Sequence, residues 1–148
     1  MRTLAPICIA ALLAVTIVCA QDDVQSVRFD AIDVYVQTGD RPLAAYQLDL
    51  SAAKGDVTIV GIEGGQSEVF TAPPYYDPAA IQNDRVIIAS FSTAAADALP
   101  RGKVRIATIH VQIVGDIEPE YDATITVAAT VDGEPIDAEL ILETGPTQ

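Results

Sequence analysis

Few residue types in this sequence could carry covalent or metal chemistry. His110 is the single histidine, and it lies within a run of Val and Ile that predicts a strand. One histidine cannot assemble a multi-histidine zinc site or a histidine-based relay, so we expect His110 to be a partly exposed strand residue. The sequence contains no Gly-x-Ser-x-Gly elbow and no phosphate-cradling glycine loop, and both cysteines precede residue 20. We therefore expect a protein that is not an enzyme and needs no cofactor.

Carboxylates are the abundant reactive groups, with 21 Asp and Glu in the chain. A glycosidase needs only two of them, and so many acids offer too many pairs to single out a site. The run Asp116-Ile117-Glu118-Pro119-Glu120-Tyr121-Asp122 offers hard oxygen ligands that would suit calcium. It lacks the spacing of a calcium-binding loop, so we expect a solvated connection between strands and no metal site.

Two adjacent aromatic residues stand in the stiff segment 72–78, whose sequence is Ala-Pro-Pro-Tyr-Tyr-Asp-Pro. Exposed tyrosines stack on sugar rings or anchor protein interfaces, because a rigid ring gives a large contact area for little lost entropy. Tyr75 and Tyr76 are therefore candidate carbohydrate-binding residues. The alternative is that both rings cover one end of the fold.

The overall charge restricts the class of partner. The 148 residues carry a formal net charge of −13, with 8 Lys and Arg. Binding to DNA or RNA depends on basic residues that release counterions, so we expect no nucleic-acid partner. Half of the residues are hydrophobic and 20% are charged, which is typical of one folded domain and not of a disordered chain.

The first twenty residues have the pattern of an export signal. Arg2 gives a basic start, residues 7–18 are mostly apolar, and Val18-Cys19-Ala20 precedes the expected cleavage point. We expect residues 1–20 to be a signal peptide and 21–148 to form one exported domain, periplasmic or extracellular. Two alternatives are lipidation at Cys19 and an uncleaved membrane anchor, and either would attach the protein to a membrane.

The elements that must position these residues are strands, because apolar residues recur with a period of two. Turn residues separate the apolar runs, and only residues 93–99 favour a helical turn. The predicted strands span residues 26–37, 44–50, 57–63, 85–92, 103–114, 124–131 and 136–142. About seven to nine such strands predict an all-β fold, a single antiparallel β-sandwich.

Two of these strands change phase. The apolar set moves from Val27 and Phe29 to Ile32, and from Ile106 to Ile109. Since a one-residue slip turns later side chains to the opposite face, each point predicts a bulge or a crossing between sheets.

The strand order resembles that of the cohesin domain family. The resemblance rests on Leu43-Ala-Ala-Tyr-Gln-Leu-Asp-Leu50, on the strand at 57–65, and on the apolar strands at 84–92 and 102–111. It covers residues 27–143, and it implies a jelly-roll sandwich related in fold to some cellulose-binding modules. Cohesins bind dockerin-bearing enzymes, so the resemblance implies a protein partner.

The contact positions that the resemblance implies are Ala45, Gln47, Gln82 and Phe91. Many dockerin-binding cohesins place Asn and Asp where this chain has Ala45 and Gln47, and the Tyr-Asp-Pro that follows is here Ala52-Ala53-Lys54. Loss of the polar pair removes interface hydrogen bonds, which predicts an altered ligand. We expect a secreted binding module for a protein, dockerin-like or other. The alternatives are a polysaccharide-binding module and a structural component of an envelope or matrix.

Overall fold

The computed structural model describes residues 25–146, which form two packed antiparallel sheets. Sheet A has the strand order β3-β6-β1-β8, and sheet B has the order β4-β5-β2-β7. The predicted signal peptide and Cys19 lie outside the described residues. The strands are β1 Val27–Gln37, β2 Ala45–Lys54, β3 Asp56–Gly64, β4 Tyr75–Tyr76, β5 Arg85–Phe91, β6 Lys103–Val114, β7 Glu120–Ala129 and β8 Glu139–Pro146.

This architecture confirms the predicted β-sandwich, and each of the seven predicted strands is present. The additional strand, β4, has only two residues, which is too short for alternation to reveal. The last strand begins at Glu139 and not at 136, because residues 134–136 first run beside β7, where Ile136 N donates to Ala128 O at 2.7 Å.

The core lies between the sheets and is built from alternate residues of the strands. Along β2, Tyr46, Leu48 and Leu50 are buried, and the residues between them are half-buried on the opposite face. Burying one such side chain stabilises the fold by about 1.5 to 3 kcal/mol. The other fully buried large side chains are Ile32, Val34, Leu43, Ile59, Phe70, Ile88, Ile106, Ile109 and Ile113.

Of the two predicted phase changes, the one in β6 is a bulge. Val34 pairs with Ala107 and Tyr35 pairs with Arg105, so Ile106 is an extra residue in β6. Ile106 and Ala107 are both buried as a result.

The prediction for β1 is wrong. Its register against β6 runs unbroken from Val27 to Val34, so β1 contains no bulge where the apolar set changes phase. Val27 and Phe29 are instead exposed on the outer face of sheet A, with 54% and 55% of their surface accessible.

In the strand at 124–131, Ile125, Val127, Ala129 and Val131 recur with a period of two, which predicts that they share the core face. Beyond Ile125 this prediction is wrong. Gln47 pairs with Val127 and Leu48 pairs with Ile125, so Thr126 is an extra residue. The bulge turns Val127 outward and brings Ala128 into the core. The Thr126 hydroxyl donates to the Gln47 carbonyl oxygen at 3.1 Å, which anchors the bulge on β2.

A buried hydrogen bond joins the two sheets across the core. Tyr46 Oη, on β2 of sheet B, donates to the carbonyl oxygen of Ile106 at 3.0 Å, at the bulge of β6 in sheet A. The Tyr46 ring also meets Phe70 edge-on, with ring centroids 5.2 Å apart. Burial raises the pKa of Tyr46, which favours the protonated hydroxyl that donates this bond.

Phe70 lies in the long connection between β3 and β4, which requires two glycines at its start. A Cβ at Gly64 would lie 2.1 Å from Thr71 O, and one at Gly65 would lie 2.2 Å from Arg105 O. The backbones at both points are too close for any side chain. The glycine pair therefore allows the connection to close this side of the sandwich.

Substituting Tyr46→Phe removes the donor and leaves the Ile106 carbonyl buried without it. We expect the free energy of unfolding to fall by about 1 to 3 kcal/mol. Urea unfolding measures the change, and Tyr75→Phe is the control, because the Tyr75 ring is exposed. Equal stability of Tyr46→Phe and the unaltered protein would show that this bond contributes nothing.

Candidate binding face

The outer face of sheet B carries an apolar surface. Its large side chains are Tyr75, Ile87, Phe91 and Val127, from three of the four strands, and all are classed among the exposed hydrophobic residues. They lie outward because the neighbouring positions on each strand face the core. Large exposed apolar residues that adjoin one another mark interaction sites more often than scattered ones do.

Tyr75 and Phe91 form the aromatic part of this surface, on the neighbouring strands β4 and β5. Their rings are nearly parallel, with centroids 6.4 Å apart and an interplanar angle of 15°. The register explains the contact, since Tyr75 pairs with Ala89, and Phe91 is the next outward residue of β5. Tyr75 is 72% exposed and Phe91 64% exposed, so each ring offers most of its area to a partner.

Small residues make a depression beside the aromatic pair. Ala45 on β2 lies between Phe91 of β5 and Ala129 of β7 in the register of the sheet. These residues, with Val131 and others, line a cavity of ≈280 Å³. The aromatic rings project from the face, and the small residues beside them leave a depression that an apolar side chain of a partner could fill.

An ion pair borders the apolar surface on the same face. Arg85 Nε donates to Asp49 Oδ1 at 2.9 Å, and Arg85 Nη2 donates to Oδ2 at 2.5 Å. The hydrogen bond from Arg85 holds the pKa of Asp49 below its ordinary value. Gln47 is also engaged, since its Nε2 donates to Thr126 Oγ1 at 3.1 Å. Asp49, Arg85 and Gln47 are therefore already paired with neighbouring groups.

The outer face of sheet A has a different character. Asp33 Oδ1 accepts from Arg105 Nη1 at 3.1 Å and from Thr108 Oγ1 at 2.6 Å. Lys103 pairs with Glu143. His110 is half-buried on β6 beside Glu63, with 3.2 Å between Nε2 and Oε1. Polar pairs thus cover the middle of the outer face of sheet A, whereas the outer face of sheet B exposes apolar rings.

Three of the four contact residues implied by the cohesin resemblance meet on the outer face of sheet B. Ala45 pairs with Phe91, and Gln47 is the next outward residue of β2. Gln82 lies elsewhere, in the connection before β5, where its N donates to Ile59 O of sheet A at 2.9 Å. It has a left-handed backbone with φ of 76°, which is uncommon for a residue other than glycine.

The two tyrosines of the alternative site lie on opposite faces of β4. Successive residues of a strand face opposite ways, and β4 consists of Tyr75 and Tyr76. Tyr76 is half-buried and packs against the core. Tyr75 therefore has Phe91, and not Tyr76, as its aromatic neighbour.

Sequence reasoning missed Ile87 and Val127. Ile87 stands between the buried Val86 and Ile88, so the run gave no alternation. An apolar residue at every position of a strand indicates two covered faces, and that signal was available. Val127 was assigned to the core because nothing in the sequence marks Thr126 as a bulge.

The acidic segment 116–122 does not gather its carboxylates. Asp116 accepts from Ser26 Oγ at 2.7 Å, Glu118 pairs with Arg28 at 3.0 Å, and Glu120 pairs with Lys54 at 2.7 Å. Residues 116–119 form the expected connection, and the last three begin β7. Within residues 25–146 no group of three or more potential metal ligands occurs.

Replacing Arg85→Gln should raise the pKa of Asp49 toward its ordinary value of 3.8. In the folded protein this pKa is lowered, so the pair stabilises the fold above the unfolded pKa, and the effect disappears as pH falls through the folded pKa. We expect Arg85→Gln to melt at a lower temperature than the unaltered protein at neutral pH, and we expect this difference to vanish on acidification.

Carboxyl NMR titration of Asp49 measures the pKa directly. Lys54→Gln is the matched control, because it breaks an exposed ion pair with Glu120 and leaves Asp49 alone. An Asp49 pKa that does not move in Arg85→Gln would contradict the role given to the guanidinium.

No helix among residues 25–146 combines the length and apolar character needed to cross a membrane. Comparisons with models of protein families, with curated proteins and with solved structures gave no match. The chemistry of the outer face of sheet B is therefore the guide to function.

Proposed function

We propose that this chain is an exported, non-catalytic binding module that recognises a partner protein through the outer face of sheet B. The observation that carries the proposal is the nearly parallel pair Tyr75 and Phe91, exposed beside a depression that Ala45 helps to line. Aromatic anchors next to small-residue pockets are where protein interfaces concentrate their binding free energy.

The polar groups of the face favour a protein over a sugar. Sugar recognition needs free donors and acceptors that match ring hydroxyls. Gln47 and Asp49 are the polar residues nearest the aromatic pair along β2, and both already bond to neighbours. A partner that covers this face with apolar side chains leaves those bonds intact.

The negative charge of this chain indicates which residues should surround the apolar surface of the partner. The chain carries a net charge of −13, and the basic residues in the strands of sheet B, Arg85 and Lys54, pair with Asp49 and Glu120. Asp122 adds an exposed carboxylate on the neighbouring strand β7. An apolar partner surface bordered by Lys and Arg would be drawn to this module, and an acidic one would be repelled.

The resemblance to cohesins supports the same face, since Ala45, Gln47 and Phe91 occupy positions that the resemblance implies as contacts. Dockerin-bearing proteins are therefore the first partners to test. The apolar Ala45 in place of a polar contact favours a partner whose matching surface is apolar.

Substituting Phe91→Asp should abolish capture of the partner, because it places a charge where an apolar ring would be buried. The control is Phe29→Asp, since Phe29 is an equally exposed phenylalanine on the outer face of the opposite sheet. Both variants should unfold at the same temperature as the unaltered protein. Immobilised proteins are exposed to the exported proteins of the source organism, and mass spectrometry identifies what is retained.

A partner retained by the unaltered protein and by Phe29→Asp, but not by Phe91→Asp, is the expected result. Calcium chelation should release it if it is a dockerin, because the dockerin fold needs calcium. Equal capture by both variants would place recognition on another surface and refute the proposal for sheet B.

Carbohydrate binding is the second candidate, because the exposed Tyr75 ring could stack on a sugar. We expect no retention of the protein on insoluble glucan, xylan or chitin. Retention that is lost in Tyr75→Ala, and kept in Tyr76→Phe, would instead assign the face to polysaccharide.

A further inference from the structure

The two sides of the sandwich are closed to different extents. On one side the connection between β3 and β5 lies along the core and buries Phe70 and Pro74. On the opposite side β7 ends sheet B and β8 ends sheet A, and only residues 130–138 pass between them. We call this second side the open side.

Inward-facing apolar residues remain half-exposed along the open side. Tyr121, Ala123 and Ile125 of β7 and Leu140 and Leu142 of β8 pack against the core without being fully buried. Leu140 pairs with Val36 and Leu142 with Val34, and both of those partners are completely buried. Leu140 and Leu142 are therefore incompletely buried because they lie at the open side, and not because their pairing with β1 is irregular.

The edge of β7 is also open to hydrogen bonding. Over residues 25–146, β7 pairs with β2 on one side, and on the other side it has only the isolated bridge from Ala129 to Pro135. Residues 134–136 already pair with the end of this edge that lies near Ala129. There Ile136 N donates to Ala128 O, and Thr130 N donates to Glu134 O. A groove of ≈580 Å³ lies beside this end of the edge, lined by residues 125–129 and 135–138. Residues 137–138 then lead to β8, so among the described residues β7 from Glu120 to Ile125 pairs with β2 alone.

We infer that the open side accepts an added strand from a partner, paired with β7 between Glu120 and Ile125. An added strand would pair its backbone with the unpaired edge of β7. Its alternate side chains would at the same time cover the half-exposed apolar residues of the open side. The added strand would extend sheet B along the same edge of β7 that residues 134–136 already follow near Ala129.

Charge defines the sequence that this strand would carry. Lys54 and Lys103 pair with Glu120 and Glu143, whereas Asp122, Asp137 and Glu139 have no ion-pair partner among the described residues. Side chains of the added strand that point away from the core would lie on the outer face of sheet B, beside Asp122. The fitting partner is therefore an extended segment of about six residues that alternates apolar and basic side chains. A second copy of this acidic chain does not fit.

The probe is a synthetic peptide of alternating valine and lysine, added to the full protein. It should bind, and between Glu120 and Thr126 it should protect from hydrogen exchange those backbone amides that point away from β2. Asp122→Lys should weaken binding by about fivefold, as expected for loss of a surface charge pair. The charge-matched control Asp97→Lys, in the 93–99 connection, should bind as the unaltered protein does. Phe91→Asp should also bind normally, which separates this site from the face of sheet B.

Two isomers of the peptide, N-methylated on alternate sets of amides, test strand addition itself. The isomer whose methyl groups face β7 should lose about tenfold in affinity, and the other should bind like the parent peptide. Equal binding of both isomers would reduce the interaction to charge attraction and overturn the inference. Failure of the parent peptide to bind would overturn it as well.

Protection, in the protein alone, of the β7 amides that point away from β2 would also contradict an added partner strand. If that protection is independent of concentration, the edge is filled by another segment of this chain. If it rises with concentration together with the molecular mass, the edge joins two copies.

Discussion

The hydrogen bond from Tyr46 to the Ile106 carbonyl is the constraint on which the surfaces of this protein depend. It joins β2 of sheet B to the bulge of β6 in sheet A, and it is buried beneath Phe70 in the long connection. Because Tyr46 must face inward to make it, Ala45 and Gln47 must face outward. A shift of β2 by one residue would break the bond and expose Leu48 and Leu50, so the bond and the burial of these side chains together fix which residues can meet a partner.

The exposed surface is completed by a second irregularity, the Thr126 bulge in β7. Without the extra residue, Val127 would continue the inward alternation of Ile125. The bulge turns it outward, and it extends the apolar surface of Phe91 and Tyr75 across the sheet. Asp49 and Arg85 occupy each other at the border, so the face offers apolar contact with little unpaired charge. Sheet A lacks this combination, since Asp33, Arg105 and Thr108 bond to one another at its centre.

Most of the fold could be predicted from the sequence, because one buried face imposes a period of two on the long strands. The bulge at Ile106 was predictable for the same reason, since the change of phase falls between two apolar runs. Thr126 could not be recognised, because Ile125, Val127 and Ala129 suit either face and pairing with β2 decides between them. Of the candidate site, Ala45, Gln47 and Phe91 were placed by a family resemblance and prove to share one face. The contact between Tyr75 and Phe91 was beyond sequence reasoning, because it joins β5 to a strand of two residues.

The most direct measurement is methyl NMR of the protein with its captured partner. Recognition through sheet B predicts shift changes at the methyl groups of Ala45, Ala89, Ile87 and Val127, with those of Val27 and Ile141 on sheet A unchanged. Shift changes confined to Val27 and Ile141 would contradict the account, because the partner would then bind the polar sheet and leave the aromatic face exposed.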